Sequence, residues 1–378
     1  MEYKKIKLPF LVKKSILALG SHTKNTLCFA KDNYAFMSRV HLDLDNWQDF
    51  LYFQKDLRYF LKKQPQILAC DLHKGYRSSQ IAKDLSKKRY ILKEIQHHHA
   101  HIASCMVENN LKNQKVIGVA FDGTGLGEDN TLWGAEFLIA SYKNFKRIAH
   151  LKYIALPGSE MAIKEPWRIA LSWLYYLYKD KILSLDIDFV KKINLKKYQI
   201  LKKMLEENFN CPFSSSMGRL FDAVGVLILN KFNSQYEGEI PQELEKLAKS
   251  FKPKETLNLR NYYFEIKKEE KIYIIEPFLL FKQIIKDIKN KKDKKEIAFK
   301  FHWAVSFMVR DVCLKLRKET QINRIVLSGG VFQNSILKKA ILGLLYKERF
   351  EVFYHREIPA FDAGISLGQV AVANFKEN

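Results

Sequence analysis

The chain is poor in the features that would place it in several large protein classes. Its 378 residues hold five cysteines, Cys28, Cys70, Cys105, Cys211 and Cys313. No two of them form a Cys-x-x-Cys pair, which excludes a zinc ribbon and a thioredoxin-like motif. An odd number of scattered cysteines fits free thiols in a reducing compartment. No apolar run approaches the roughly 20 residues that a membrane-spanning helix needs. The first residues, Met1-Glu-Tyr-Lys-Lys, are not followed by the apolar stretch and cleavage site of an export signal. No Gly-rich turn runs into Gly-Lys-Ser/Thr, so there is no Walker A loop, and the dinucleotide fingerprint is also missing. No low-complexity linker divides the chain. A cytoplasmic protein with no membrane association is expected.

What the chain does have is apolar mass and positive charge. It is 47% hydrophobic and 13% aromatic, enough for a large core in one bilobal unit or two domains. The formal charge is +23, from 64 basic and 41 acidic residues. Lysine far outnumbers arginine and is spread along the chain. The densest run, Lys286 to Glu296, mixes in acids and reads as a solvated face. Nucleic-acid binding is therefore not favoured.

Periodicity orders the elements as an α/β fold with mixed sheets. Strands are expected at 15–20, 25–30, 34–38, 66–71 and 90–95, with a helix over 45–61 and a second from about Ser78. A new start comes at Lys115, with strands at 116–121, 131–142 and 148–154. The pattern of strand, Gly turn, strand, strand, then helices thus occurs twice, which predicts two similar lobes facing each other. The first lobe covers 1–114 and ends with a His-bearing helix. The second covers 115–378, with helical insertions near 164–250 and 276–318, a strand at 324–328 and a closing helix over 365–375.

Chemistry concentrates in His97-His98-His99-Ala100-His101, four imidazoles in five residues. On a helix, His97 and His101 lie one turn apart on one face and can grip one divalent cation. Two carboxylates stand at element ends, Asp122 before a Gly and Asp362 before Ala363-Gly364. Together the four make a two-His, two-carboxylate set suited to iron, manganese or zinc. Three Gly-rich turns follow apolar strands: Leu19-Gly20-Ser21, Asp122-Gly-Thr-Gly125 and Ser328-Gly-Gly-Val-Phe-Gln-Asn334. Backbone N–H groups in such turns can approach a phosphate closely.

The ordered set His-His-His-Ala-His-Ile, Phe-Asp-Gly-Thr-Gly-Leu-Gly, Leu-Trp-Gly-Ala-Glu, Leu156-Pro-Gly158, Glu165-Pro-Trp-Arg168, Met217-Gly-Arg-Leu-Phe-Asp-Ala223, Ser328 to Asn334 and Asp362-Ala-Gly-Ile-Ser-Leu-Gly-Gln369 resembles the C-terminal carbamoyltransferase domain of the HypF family, which matures nickel–iron hydrogenases. The resemblance runs from about residue 15 to 375. It implies the actin-like ATPase (ASKHA) fold, with a nucleotide and metal cleft between two duplicated lobes. It implies transfer of a carbamoyl group from carbamoyl-adenylate to the C-terminal cysteine thiol of a HypE-like partner, for the iron cyanide ligand. The positions that match metal ligands are His97, His101, Asp122 and Asp362, for a divalent transition metal, iron or zinc. Those that match contacts to ATP, AMP or carbamoyl-adenylate are Gly123, Thr124, Gly218, Asp222, Gly329, Gly330 and Asn334, with Asp222 on the ribose. His98 is the candidate catalytic acid/base or donor-orienting residue, and His99 is structural.

Three positions depart from the family pattern: Ser159 and Ala363 stand where Gly is usual, and Lys74 where Pro is usual. Full-length members carry acylphosphatase, zinc-finger and YrdC-like adenylating domains before the transferase part, and these are not expected here. The expectation is then either that a separate YrdC-like protein supplies carbamoyl-adenylate or that the chain is a stand-alone paralogue with another acceptor. Two other functions fit the same fold. One is a tRNA threonylcarbamoyl-transferase, which the basic charge favours. The other is a non-catalytic nucleotide-binding scaffold for a maturation partner.

Overall fold

A computed structural model describes residues 3–87 and 89–376. The first lobe runs β1 (Lys4–Ala18), β2 (Thr23–Asn25), β3 (Cys28–Met37), β4 (His41–Asp43), α1 (Trp47–Leu61), β5 (Ile67–Asp71), α2 (Arg77–Ser86), β6 (Ile91–Ile95) and α3 (His97–Glu108). The second opens with β7 (Val116–Leu126), β8 (Leu132–Ala140), β9 (Phe145–Leu151) and β10 (Ile154–Ala155). A helical stretch follows: α4 (Met161–Lys164), α5 (Trp167–Tyr178), α6 (Asp188–Lys191), α7 (Leu195–Glu206), the short strand β11 (Phe213–Ser214), α8 (Met217–Leu229) and α9 (Glu239–Lys249). The hairpin β12 (Glu265–Glu269) and β13 (Ile272–Glu276) leads into α10 (Phe278–Lys289) and α11 (Lys294–Thr320). The chain closes with β14 (Arg324–Ser328), α12 (Ser335–Lys347), β15 (Glu351–Tyr354) and α13 (Ile365–Phe375).

The two sheets repeat one topology. The first has the order β3-β1-β5-β6, and the second contains β8-β7-β14-β15. In each, the first pair is antiparallel and the next two are parallel. The parallel strands are apolar runs, as in Ile67-Leu-Ala-Cys and Ile325-Val-Leu, because both faces are covered. The second sheet is extended by β9, β13 and β12.

Each sheet sends its last helix across to the other. α3 follows β6 yet packs on β7 and β14, and α13 follows β15 yet packs on β1, β3 and β5. The two helices also pack against each other. One buried cluster therefore joins Leu8 and Ile16 of the first sheet, Ala100 and Ile102 of α3, Val116 and Leu138 of the second sheet, and Ile365 to Ala373 of α13. Gly368 makes the close crossing possible, since a Cβ there would lie 1.8 Å from the Ala100 carbonyl oxygen.

Several local expectations change. The strands expected at 25–30 and 34–38 are one strand, β3, in which Asp32 takes a positive φ of 55° at an irregularity in its pairing with β1. β1 begins at Lys4, well before residue 15. Its N-terminal half alternates exposed and partly buried residues at the sheet edge, a weaker signal than the apolar run at 16–19. Ser159, standing where Gly is usual, holds φ 52° next to Gly158 at φ 90°, so the turn keeps its left-handed backbone without the second glycine. No helix of the described residues is long and apolar enough to cross a membrane.

Candidate metal and nucleotide site

The site is built where α3 starts beneath the end of β7. Gln96 caps α3, its side-chain oxygen accepting from the His99 N–H at 2.8 Å. The cap fixes the first turn, so His97 and His101 project from one face. Both Nε2 atoms reach the same oxygen, Asp122 Oδ2, at 3.2 Å. Both also stand 3.8 Å from Asp362 Oδ1. One ligand atom from each of the four residues falls within 4.8 Å of all the others. Asp122 comes from β7, and Asp362 from the turn that begins α13.

These distances fit a cation. Ligand bonds of about 2.0–2.2 Å around one ion place the donors roughly 3–4 Å apart. The charges fit as well. Asp122 is buried and Asp362 partly buried, and the two carboxylates face the same pair of histidines. Burial opposes the ionisation of Asp122, but its contacts with His101 and His97 outweigh it and hold the carboxyl well below the usual range. Asp362 is pushed up to about 6, by burial and then by the charge of Asp122. Like charges held together this way are what a bound divalent ion neutralises.

The chain also orients the ligands from behind. His97 Nδ1 lies 2.8 Å from Asp71 Oδ2, and Asp71 is fully buried at the end of β5. With that hydrogen donated to Asp71, Nε2 is left as the ligand atom. The other oxygen of Asp71 accepts from the His73 N–H. Asp122 is likewise fixed, its Oδ1 accepting from the Gly330 N–H at 3.0 Å. Gly125 lets β7 pass this close, because a Cβ there would lie 2.6 Å from His98 and 2.7 Å from His97.

His98 turns away from the four-donor focus. Its Nδ1 is 3.2 Å from the Gln96 amide nitrogen, so Nε2 carries the hydrogen. That Nε2 is buried with no hydrogen-bond partner among the described residues. Burial, then the charge of His97, push the imidazole down to about 3. His99 points elsewhere: its Nε2 meets the Ser141 carbonyl at 2.6 Å and its ring packs on Phe145.

A cavity of about 500 Å³ opens beside Asp122 and Asp362, a volume suited to a small-molecule ligand. Gly123, Thr124, Gly218, Gly330 and Asn334 line it. Gly218, in the first turn of α8, packs on Gly123 so closely that a Cβ would meet its Cα at 3.0 Å. Ser216 caps α8 by accepting from the Arg219 N–H and donating to the Asp122 and Gly123 carbonyls. Asp222 is buried one turn into α8, and burial raises its carboxyl to about 6 against the pull of Arg219.

Residues 12–108 match the family described as the HypF Kae1-like domain. Residues 118–369 match the one described as carbamoyltransferase, Kae1-like domain, second subdomain. The chain belongs to the HypF family. A carbamoyltransferase HypF of Synechocystis is 32% identical over 97% of this chain and 48% of its own length. A HypF homolog of Cupriavidus necator is 30% identical over 95% of this chain and 91% of its own length. The chain thus spans about half of the full-length HypF relatives and nearly all of that homolog. A crystal structure of full-length HypF in a phosphate- and nucleotide-bound form superposes with a TM-score of 0.90 at 42% identity, covering 98% of this chain and 57% of that one. A second, T. kodakarensis HypF, gives 0.86 at 27% identity, covering 98% and 48%. The α/β fold with a Kae1-like, actin-related arrangement is that of these HypF structures.

One expected turn, at Gly20, and one glycine of another, Gly329, do not face the cavity. Gly20 is closed off by Gln369, whose side chain bonds its N–H at 2.9 Å and its carbonyl at 3.3 Å. Gly329, at φ 107°, packs behind Asp122, where a Cβ would meet the Phe121 carbonyl at 2.1 Å. Asn334 lines the cavity but also caps α12, accepting from the Leu337 N–H at 3.0 Å. Asp71 is the site residue missed from the sequence. The signal was present: Asp71 ends β5 after an apolar run, whereas Asp122, expected to end its strand, follows the buried run 116–121 inside β7, which continues to Leu126.

Proposed function

We propose that the chain transfers a carbamoyl group from carbamoyl-adenylate to a thiol acceptor, the C-terminal cysteine of a HypE-like partner, toward the iron cyanide ligand of a hydrogenase. The observation that carries this reading is the junction of the four-donor focus with the cavity floor at Asp122-Gly123. His97, His101, Asp122 and Asp362 would hold a divalent transition metal, iron or zinc. Such an ion supplies positive charge beside a mixed anhydride of carbamate and phosphate. Asp222 takes the ribose, and Gly123, Thr124, Gly218 and Gly330 line the phosphate path.

The acceptor attacks the carbamoyl carbon as the thiolate, its proton already lost to solvent; the C–S bond forms, the C–O bond to phosphate breaks, and AMP leaves with that electron pair. His98, whose Nε2 hydrogen is buried behind the site and unpaired among the described residues, is assigned the donor-orienting role. It orients the donor and carries no proton away, since its Nδ1 is engaged by Gln96. The surrounding buried wall excludes water, which would otherwise hydrolyse the anhydride.

The test is to give purified protein synthetic carbamoyl-adenylate and a cysteine-ended acceptor. A carbamoyl mass shift on the acceptor is expected. Its absence with wild-type protein, while AMP still binds, would favour a scaffold that docks a partner. Transfer and metal content should both vanish in His97→Ala/Asp362→Ala; unchanged values would overturn the metal assignment.

A further inference from the structure

Arg219 occupies an unusual position for an arginine. It lies in the first turn of α8, 2% exposed, and lines the cavity. Its Nε is 3.1 Å from Asp222 Oδ2, an ion pair whose angle makes no hydrogen bond. Nε and Nη1 are both buried without a hydrogen-bond partner among the described residues. A guanidinium carries five N–H donors and no acceptor; Nε and Nη1 hold three of them, and leaving these buried without a hydrogen bond is costly. Such donors are complete only when an anion reaches them.

The neighbours define where that anion sits. Asp222, the ribose residue, is one helical turn on, at i+3. Gly123 lies on the other side, with Arg219 Nη2 3.8 Å from where its Cβ would be. Gly123 follows the metal-facing Asp122. Arg219 therefore stands on the cavity wall beside Gly123 and next to the metal-facing Asp122, where a phosphate of a nucleotide reaching toward Asp222 would lie. The helix N-terminus adds partial positive charge to the same point. One anion of the chain already approaches it. Glu237 Oε1 is 3.6 Å from Nη2 and would lie 2.9 Å from a Cβ on Gly123. The side chain of Glu237 is 49% exposed and sits in the segment before α9, so it can withdraw.

Resting on the nucleotide reading above, we infer that Arg219 is the receptor for the nucleotide's 5′-phosphate, and that Glu237 holds the same place when no phosphate is bound. Acylated phosphate bears one charge fewer than free AMP. A guanidinium here then favours the transition state, in which the leaving phosphate recovers its full charge.

Calorimetric titration with AMP and with adenosine tests this. Arg219→Gln should weaken AMP about 10- to 100-fold, the loss of a charge-assisted contact, and leave adenosine unchanged. Arg219→Lys, which keeps a charge beside Asp222, should fall between. Glu237→Gln should tighten AMP roughly 3- to 10-fold by removing the competing anion. Equal losses for AMP and adenosine in Arg219→Gln, or unchanged AMP affinity, would overturn the assignment to Arg219. An unchanged or weaker AMP affinity in Glu237→Gln would overturn the competition. Should Arg219→Gln fail to fold, Arg219→Lys decides by the same AMP-to-adenosine ratio. Wild-type protein that binds neither ligand would overturn the nucleotide reading as a whole.

Discussion

The two crossover helices are the most instructive pair in the molecule. Each follows the last strand of its own sheet, crosses to the other, and meets the end of that sheet's first strand. In both, the fifth residue makes the meeting. In α3 that residue is His101, which reaches Asp122 where the buried run of β7 stops. In α13 it is Gln369, which reaches Gly20 beyond the end of β1. One scaffold position thus holds a ligand atom in one lobe and closes a backbone turn in the other. The difference is chemical, not architectural: an imidazole facing a carboxylate makes a cation site, whereas an amide facing a peptide group satisfies both partners and leaves nothing to bind.

This comparison can be broken at its strongest point. His101→Gln installs in the second lobe the residue type that the first lobe uses. Metal affinity should fall more than 100-fold, beyond the loss typical of an outer partner, as read by metal analysis after dialysis against a weak chelator. Asp71→Asn sharpens the same contrast from behind. It keeps a hydrogen-bond acceptor for His97 but removes the charge, and should weaken metal binding about 10- to 100-fold with little change in melting temperature.

The contact between the helices should respond next. Gly368→Ala forces a methyl into the Ala100 backbone and should cost about 3 kcal/mol or more in denaturant unfolding. Gly343→Ala in α12 has open space and should stabilise by up to about 1 kcal/mol. A pH-dependent effect is expected at the far end of α3. Glu108 accepts from the backbone N–H groups of Arg356, Glu357 and Ile358 and pairs with His355 Nδ1 at 2.6 Å. Burial opposes its ionisation, but the His355 and backbone hydrogen bonds prevail and lower the carboxyl to about 2 from an ordinary 4.5. Because the folded value is depressed, its stabilisation is present above about pH 4.5 and is lost as pH falls toward 2. Glu108→Gln should therefore be roughly 1.5–3 kcal/mol less stable than wild type at pH 7, and the gap should close by pH 2–3.

Much of this was legible from residues alone, for identifiable reasons. The apolar runs at 67–70, 116–121 and 325–327 are strands because both their faces are covered. The His cluster sits at a helix start because Gln96 and the strand before it leave no other register. The four donor residues could be paired from their types and their places at element ends. What stayed hidden depends on which surface each element meets. Gly20 looks like a phosphate turn until Gln369, 349 residues later, is found filling it. Asp71 looks like a turn residue until His97 is seen to lean on it. The unused donors of Arg219 follow from burial and angle, which no spacing encodes.

The crossing of α3 and α13 has a consequence for how the chain can be divided. Cutting between Lys112 and Lys115 would separate the two repeats in sequence but not in substance. The first fragment would carry α3 without the sheet it covers, and the second would carry α13 in the same condition. Each would expose an apolar helix whose only matching surface lies on the other piece. The halves should therefore be inert when made apart and recover a shared fold when mixed, as two strands of one clasp.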